Sequence, residues 1–175
     1  MFTSSGSPVF AKLSDDGASA WGTIAEKAWA KVLGNYLKTN AGYTHNGLRF
    51  LTGNPVFYYT MSNTTVMSTT FSLINAGDRA NYILTAGTGS GADSTYNVCG
   101  IPNGHAYTIL AAFNMTDAAG KVNSVYMIRN PWGTDYNYNQ TWNATDPNWT
   151  TALVAQVPLG VDPRKVYTAD GVFIV

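Results

Sequence analysis

Apolar residues between positions 21 and 36 recur three or four positions apart, which is the spacing of an amphipathic helix. These residues are Trp21, Ile24, Ala25, Ala28, Trp29, Val32, Leu33 and Tyr36. Gly34 and Asn35 mark the point at which such a helix weakens or ends. We therefore predict one long N-terminal helix with one broad buried face.

The rest of the chain is dominated by short apolar runs that contain many β-branched and aromatic residues, which favours strands. We predict strands at residues 48–51, 56–59, 82–85, 106–113, 122–128 and 171–175. The runs at 106–113 and 122–128 flank a turn sequence at 117–120 and predict a hairpin. Residues 66–75 predict a short helix, residues 7–13 a short strand or lead-in, and residues 136–150 a long loop.

One long helix followed by many strands predicts an α+β fold, in which the helix packs on an antiparallel sheet or barrel. A length of 175 residues suits a single domain spanning positions 1–175. Residues 1–16 would form a lead-in strand or linker before the helix.

The composition restricts the classes of partner. Charged residues make up 11% of the chain, against about 25% in an average globular protein. The formal net charge is zero and the basic residues are scattered. This pattern argues against nucleic acid and membrane surfaces as partners. Cys99 is the only cysteine, which excludes an internal disulfide and is compatible with a reducing compartment.

Histidine chemistry has few places to occur, because the chain holds only His45 and His105. His45 sits in a turn-like sequence. His105 starts one predicted strand of the hairpin and Asn130 follows the other, so antiparallel pairing would bring them side by side. From the residues alone, His105 is either a structural residue at a strand start or the base of a Cys-His-Asn site. Trp132 could cover this pair.

Two motifs carry a resemblance to a known family. Gly-His-Ala-Tyr at 104–107 and Ile-Arg-Asn-Pro-Trp-Gly at 128–133 resemble the paired signature of calpain-type cysteine proteases. The helix at 24–36, the turn at Gly53 and Asp-Gly-Val-Phe at 170–173 resemble further landmarks of that family, in the same order. The resemblance covers nearly the whole chain. It implies the second, C-terminal catalytic subdomain, which is the antiparallel β lobe of a papain-like protease.

The same resemblance implies roles for three residues. His105 would be the general base and acid, Asn130 its orienting residue and Trp132 their cover. The family's nucleophile is a cysteine at a helix start in the preceding lobe, in a Gly-x-Cys-Trp-like motif that this chain lacks. Cys99 lies six residues before His105 and is expected to be a packed thiol.

The resemblance therefore implies two partners, a polypeptide substrate and a Cys-bearing lobe from the same native chain or a separate subunit. Without that lobe the chain would be inactive. One alternative is a non-catalytic calpain-like scaffold or binding module in a larger assembly. A third possibility is a homodimer formed through the exposed face of the lobe.

Members of this family commonly bind Ca²⁺ in this lobe, through carboxylates after the Asn-Pro-Trp motif and beside the closing Asp-Gly. The corresponding candidates here are Asp135, Asp146 and Asp170, and Val172 stands where an acid is typical. Ca²⁺ needs several oxygen ligands, some of them charged. We therefore expect no required cofactor, with calcium possible but disfavoured, and expect these aspartates to form turns.

Overall fold

The computed structural model describes residues 4–5, 11, 17–61, 64–133, 138–165 and 170–175, with the main chain alone at 64 and 65. The chain forms two compact units, Met1–Val56 (unit 1) and Phe57–Val175 (unit 2). Among the described residues, no helix has the length and apolar character needed to cross a membrane.

Unit 1 contains helix α1 (Trp21–Leu33), a short 3₁₀ helix (Tyr36–Thr39) and helix α2 (Thr44–Thr52). Helix α1 confirms the predicted N-terminal helix. The predicted broad buried face of this helix is wrong, because Ala30 is the buried residue of α1 while Trp21 is 74% exposed. The rings of Trp29 and Phe50 pack 4.9 Å apart.

Two predicted strands are wrong. Residues 48–51 belong to α2, which ends at Gly53 in the left-handed conformation with its N–H donating to the Arg49 carbonyl. A four-residue stretch such as this Leu-Arg-Phe-Leu is too short for periodicity to separate a strand from a helix. Residues 56–59 lie outside any helix or strand. Most of the predicted lead-in at 7–13 lies outside the described residues.

Unit 2 contains helix α3 (Thr64–Arg79) and strands β1 (Leu84–Gly87), β2 (Ala106–Thr116) and β3 (Val122–Arg129). Helix α4 (Thr151–Val154), a 3₁₀ turn (Pro158–Gly160) and strand β4 (Val172–Ile174) follow. The strands form an antiparallel sheet in the order β1-β2-β3-β4, which confirms the α+β class and the β2–β3 hairpin. Residues 138–150 form the predicted irregular loop. Within unit 2, helix α3 contacts β1 and β2.

Buried side chains pack on both faces of the sheet. A β-bulge in strand β2 shifts which face its alternate side chains point to. Ile109 pairs with Ile128 and Ala111 with Met127, so Leu110 is one extra residue on β2. Before the bulge, Tyr107 packs with Ile128 and Phe173 in one buried cluster. After it, β2 contributes to the other cluster, whose buried members are Ala111, Met115, Val125, Met127, Trp149, Leu153, Val157 and Ile174.

Helix α3 also covers the edge of β2 beyond the end of β1. Asp78 Oδ2 accepts the main-chain N–H of Ala112 at 3.0 Å, and Asn75 Nδ2 donates to the Ala112 carbonyl. Gln156 makes a similar pair of bonds with the main chain of Thr116. These side chains satisfy main-chain groups that would otherwise form an open strand edge.

Candidate functional site

His105 and Asn130 meet at one end of the sheet. His105 immediately precedes β2 and Asn130 immediately follows β3. Because β2 and β3 run antiparallel, the start of one strand lies beside the end of the other. The Nε2 atom of His105 is 2.9 Å from Oδ1 of Asn130, which is hydrogen-bonding distance.

The orientation of the Asn130 amide follows from a second contact. The main-chain N–H of Trp132 lies 3.0 Å from the same Oδ1 atom of Asn130. A main-chain N–H can only donate, so the atom that faces it must be the carbonyl oxygen. His105 therefore donates its Nε2–H to that oxygen. In the neutral ring this leaves the Nδ1 lone pair available to accept a proton.

Asn130 is held by its main chain as well as by its burial. It is 1% exposed. Its N–H donates to the carbonyl of Gly171 at 2.9 Å, which extends the β3–β4 pairing by one residue. Its own carbonyl accepts the N–H of Gly133 at 3.0 Å, which closes a turn over Pro131 and Trp132. A buried amide held in this way keeps the His105 ring in one orientation.

Two aromatic rings contact the imidazole of His105. The Trp132 ring is 4.0 Å from it, centroid to centroid, and tilted by 43°, and the Trp132 side chain is 42% exposed. The Tyr107 ring lies 5.0 Å from the imidazole and nearly perpendicular to its plane. The Tyr107 hydroxyl is buried and has no hydrogen-bond partner among the described residues. Burial, with a smaller effect from Tyr96, raises the pKa of Tyr107 to about 12.

The chain that leads into His105 is closely packed at Gly104. Gly104 has a φ angle of +54°, which a side chain disfavours. A Cβ atom built on Gly104 would lie 2.3 Å from the carbonyl oxygen of Gly91, a distance that backbone atoms cannot accommodate. The main-chain N–H of Gly104 donates to the Gly89 carbonyl at 2.7 Å. Glycine at position 104 thus lets two segments of the β1–β2 loop cross directly before His105.

Cys99 lies in the same loop, in a turn rather than at a helix start. It is a half-buried free thiol whose N–H donates to the Asn97 side chain. Within the part of the chain that the structure describes, the rings and amide that contact the His105 imidazole belong to Asn130, Trp132 and Tyr107. The thiol is therefore outside this set.

The described residues contain no group of three or more His, Cys, Asp or Glu side chains able to hold a metal ion. Asp146 is buried and accepts the main-chain N–H groups of Trp142 and Asn148 on its two oxygens. Asp170 accepts the N–H of Val172. Asp135 lies outside the described residues. Asp146 and Asp170 thus act as turn-forming residues.

A surface cavity of about 380 Å³ opens at the opposite end of the β2–β3 hairpin from His105. Its lining includes Asp117, Lys121, Trp142 and Leu153. Because β2 begins beside His105 and ends beside Asp117, the length of this strand separates the cavity from the His105–Asn130 pair. The two features are distinct.

The sequence motifs identified the histidine, the amide and the indole of this site but gave no indication of Thr88. The Thr88 main-chain N–H donates to the His105 carbonyl at 3.0 Å, and its Oγ1 accepts the His105 N–H at 2.9 Å. Thr88 lies 17 residues before His105 and directly after β1. Only the antiparallel pairing of β1 with β2 brings the two together.

An imidazole held by a buried carboxamide beside an indole, on an α+β fold, has the composition of the base half of a Cys-His-Asn hydrolase site. Comparison with known proteins gives the family. The family model for calpain family cysteine proteases matches residues 1–162. The chain therefore belongs to the calpain family of cysteine proteases.

Individual relatives agree with this assignment. The chain is 31% identical over 159 residues to the calpain-type cysteine protease DEK1 of Zea mays, covering 86% of this chain and 7% of that protein. It is 29% identical over 141 residues to the calpain-2 catalytic subunit of Bos taurus, covering 79% of this chain and 20% of that protein. The chain thus spans a fifth or less of the length of these relatives.

Proposed function

We propose that this chain is the C-terminal catalytic subdomain of a calpain-like cysteine endopeptidase and supplies its general base. The observation that carries the proposal is the hydrogen bond between His105 Nε2 and the buried Asn130 oxygen. This bond leaves Nδ1 of the neutral ring as the proton acceptor. A general base needs such a free lone pair in a fixed direction.

In the proposed reaction, Nδ1 of His105 takes the proton of a cysteine thiol on a partner lobe. The thiolate attacks the scissile carbonyl of a polypeptide, and the Nδ1–H of His105 then protonates the departing amine. A water molecule loses a proton to Nδ1 and attacks the thioester. This step releases the carboxylic acid and returns the proton to the thiol. Asn130 holds the imidazole ring throughout, and Trp132 shields from water the hydrogen bond between His105 Nε2–H and Asn130.

The Cys-bearing lobe is part of this proposal, either in the same native chain or as a separate subunit. Cys99 is a poor candidate for the nucleophile, since it lies in a turn and outside the contacts of the His105 ring. A cytoplasmic location also belongs to the proposal and is supported by the single free cysteine.

The experiment combines the chain with a cognate Cys-bearing lobe and measures hydrolysis of a fluorogenic peptide. We expect hydrolysis by the mixture, none by the chain alone, and loss of at least about 100-fold in His105→Gln. His45→Gln is the matched control, because it removes the other imidazole of the chain, whose ring stacks on Tyr43. An inactive mixture, or an active His105→Gln variant, would contradict the proposal. A tight but inactive complex would instead support the alternative of a non-catalytic binding module.

A further inference from the structure

Thr88, which directly follows β1, hydrogen-bonds to the main chain of His105. The Thr88 main-chain N–H donates to the His105 carbonyl, and the Thr88 hydroxyl accepts the His105 main-chain N–H. Both main-chain groups of His105 are therefore bonded to Thr88. The Thr88 hydroxyl has a single proton and two carbonyl oxygens within reach, that of Pro102 at 2.7 Å and that of His105 at 3.3 Å, and we assign the proton to the nearer oxygen, that of Pro102. One side chain therefore links the end of β1 to the start of β2 and to the loop before it.

These bonds complete the support of the histidine. The side chain of His105 is held from the β3 side by Asn130, and its main chain is held from the β1 side by Thr88. The regular pairing of β1 with β2 ends at Gly87 and Ala106, one residue short of His105. The Thr88 hydroxyl provides an acceptor for a His105 N–H that lies beyond this regular pairing.

We propose that Thr88 is a positioning residue for His105, acting through its hydroxyl group; the proposal rests on the proposed function only for its effect on catalysis. Without the hydroxyl, the His105 N–H and the Pro102 carbonyl both lose a bond, and the main chain at His105 gains freedom to rotate. Rotation of the main chain moves the imidazole relative to Asn130. A displacement of about 1 Å at a catalytic group can cost about 100-fold in rate.

The test uses Thr88→Val, which keeps the shape of the side chain and the main-chain N–H but removes the hydroxyl. Thr88→Ser restores the hydroxyl and is the conservative rescue. NMR of the full chain gives two readouts that do not require catalysis. One is the hydrogen-exchange rate of the His105 main-chain amide, and the other is the ¹⁵N signal of its ring nitrogens. His45 is the only other histidine and serves as the internal control.

We expect the His105 amide to exchange at least about tenfold faster in Thr88→Val, because an exposed amide exchanges from locally open states. The ring ¹⁵N signals of His105 should lose the pattern of a single Nε2–H tautomer. Thr88→Ser should restore both, and the amides of Met115 and Val125 should be unchanged in both variants. In the assembled protease, kcat should fall about 10-fold to 100-fold in Thr88→Val with KM unchanged.

Unchanged exchange and ring signals in Thr88→Val would overturn the proposal, and so would a failure of Thr88→Ser to restore them. Loss of protection at Met115 and Val125 would also overturn it, because Thr88 would then support the whole sheet and not His105. These results test the positioning of His105 independently of whether His105 is the catalytic base. If Thr88→Val alters the ring while His105→Gln leaves hydrolysis intact, Thr88 still positions His105 and the assignment of the base is wrong.

Discussion

The Oδ1 atom of Asn130 lies 2.9 Å from Nε2 of His105, although the two residues are 25 positions apart in sequence. The asparagine is buried and its oxygen is already oriented by the main-chain N–H of Trp132. Asn130 therefore fixes both the rotation of the imidazole and its tautomer. This relationship gives the first prediction.

Replacing Asn130 by alanine removes the acceptor of the Nε2–H of His105. We expect kcat of the assembled protease to fall by about 10²-fold or more, since loss of tautomer control in a comparable triad costs still more. Steady-state hydrolysis of a fluorogenic peptide measures the loss. Asn114→Ala is the matched control, because Asn114 is an exposed asparagine on β2 that bonds to Ser124. Equal activity of the two variants would show that Asn130 does not orient the base.

The buried hydroxyl of Tyr107 predicts a gain in stability on its removal. A buried donor without a partner costs about 1–3 kcal/mol, so Tyr107→Phe should raise the free energy of unfolding by about that amount. Urea unfolding monitored by circular dichroism measures the difference. Tyr82→Phe is the control, since Tyr82 is 71% exposed and should show no change. A destabilised Tyr107→Phe variant would mean that the hydroxyl is bonded in solution.

The same residue predicts a dependence of stability on alkaline pH. Burial, and to a smaller extent Tyr96, raises the pKa of Tyr107 from 10.0 to about 12 in the folded chain. The unfolded state thus loses the phenol proton first as the pH rises. Stability is therefore fully present below pH 10 and is lost progressively from pH 10 through 12. Between pH 10 and pH 12, the free energy of unfolding from urea titrations should fall less steeply with pH in Tyr107→Phe than in the wild-type chain. Equal slopes would contradict the assignment.

The contact between Asp78 and Ala112 predicts a loss of stability on truncation. In Asp78→Ala the main-chain N–H of Ala112 loses its acceptor, and we expect a cost of about 1–3 kcal/mol in urea unfolding. Asp78→Asn keeps an acceptor oxygen and should retain most of the stability. Asp93→Ala, an exposed aspartate in the β1–β2 loop, is the control. If Asp78→Asn and Asp78→Ala lose equal stability, the carbonyl-type acceptor is not what matters.

Asp146 gives a prediction about calcium. Both carboxylate oxygens of Asp146 accept main-chain N–H groups of the 142–148 turn, so Asp146→Ala should lower the melting temperature whether or not Ca²⁺ is present. Millimolar Ca²⁺ should leave the melting temperature of the wild-type chain unchanged. A ligand that bound the folded state would raise it with concentration. A Ca²⁺-dependent rise that disappears in Asp146→Ala would reverse this expectation and identify a calcium site.

The sequence predicts the parts of the fold whose pattern extends over many residues. The α1 helix and the β2–β3 hairpin follow from periodicity and turn chemistry, and the hairpin alone brings His105 next to Asn130. The strand prediction at 48–51 is wrong because four residues fit either a strand or a helix. Thr88 could not be predicted, since its contact with His105 depends on how β1 pairs with a strand 17 residues later. The bond between Asp78 and Ala112 likewise could not be predicted, since it depends on how helix α3 packs against the edge of β2.

The extra residue at Leu110 divides β2 into two halves that face opposite ways. Side chains at odd positions point to the Tyr107 cluster before the bulge and to the Met115 cluster after it. Deleting one residue there would restore an unbroken alternation and force one half of the strand to turn over. Either His105 and Tyr107 or the apolar residues 111, 113 and 115 would then face the wrong side. The bulge thus lets the histidine end of β2 face one cluster while the core end faces the other. Substitutions at the two ends of the strand are therefore constrained separately.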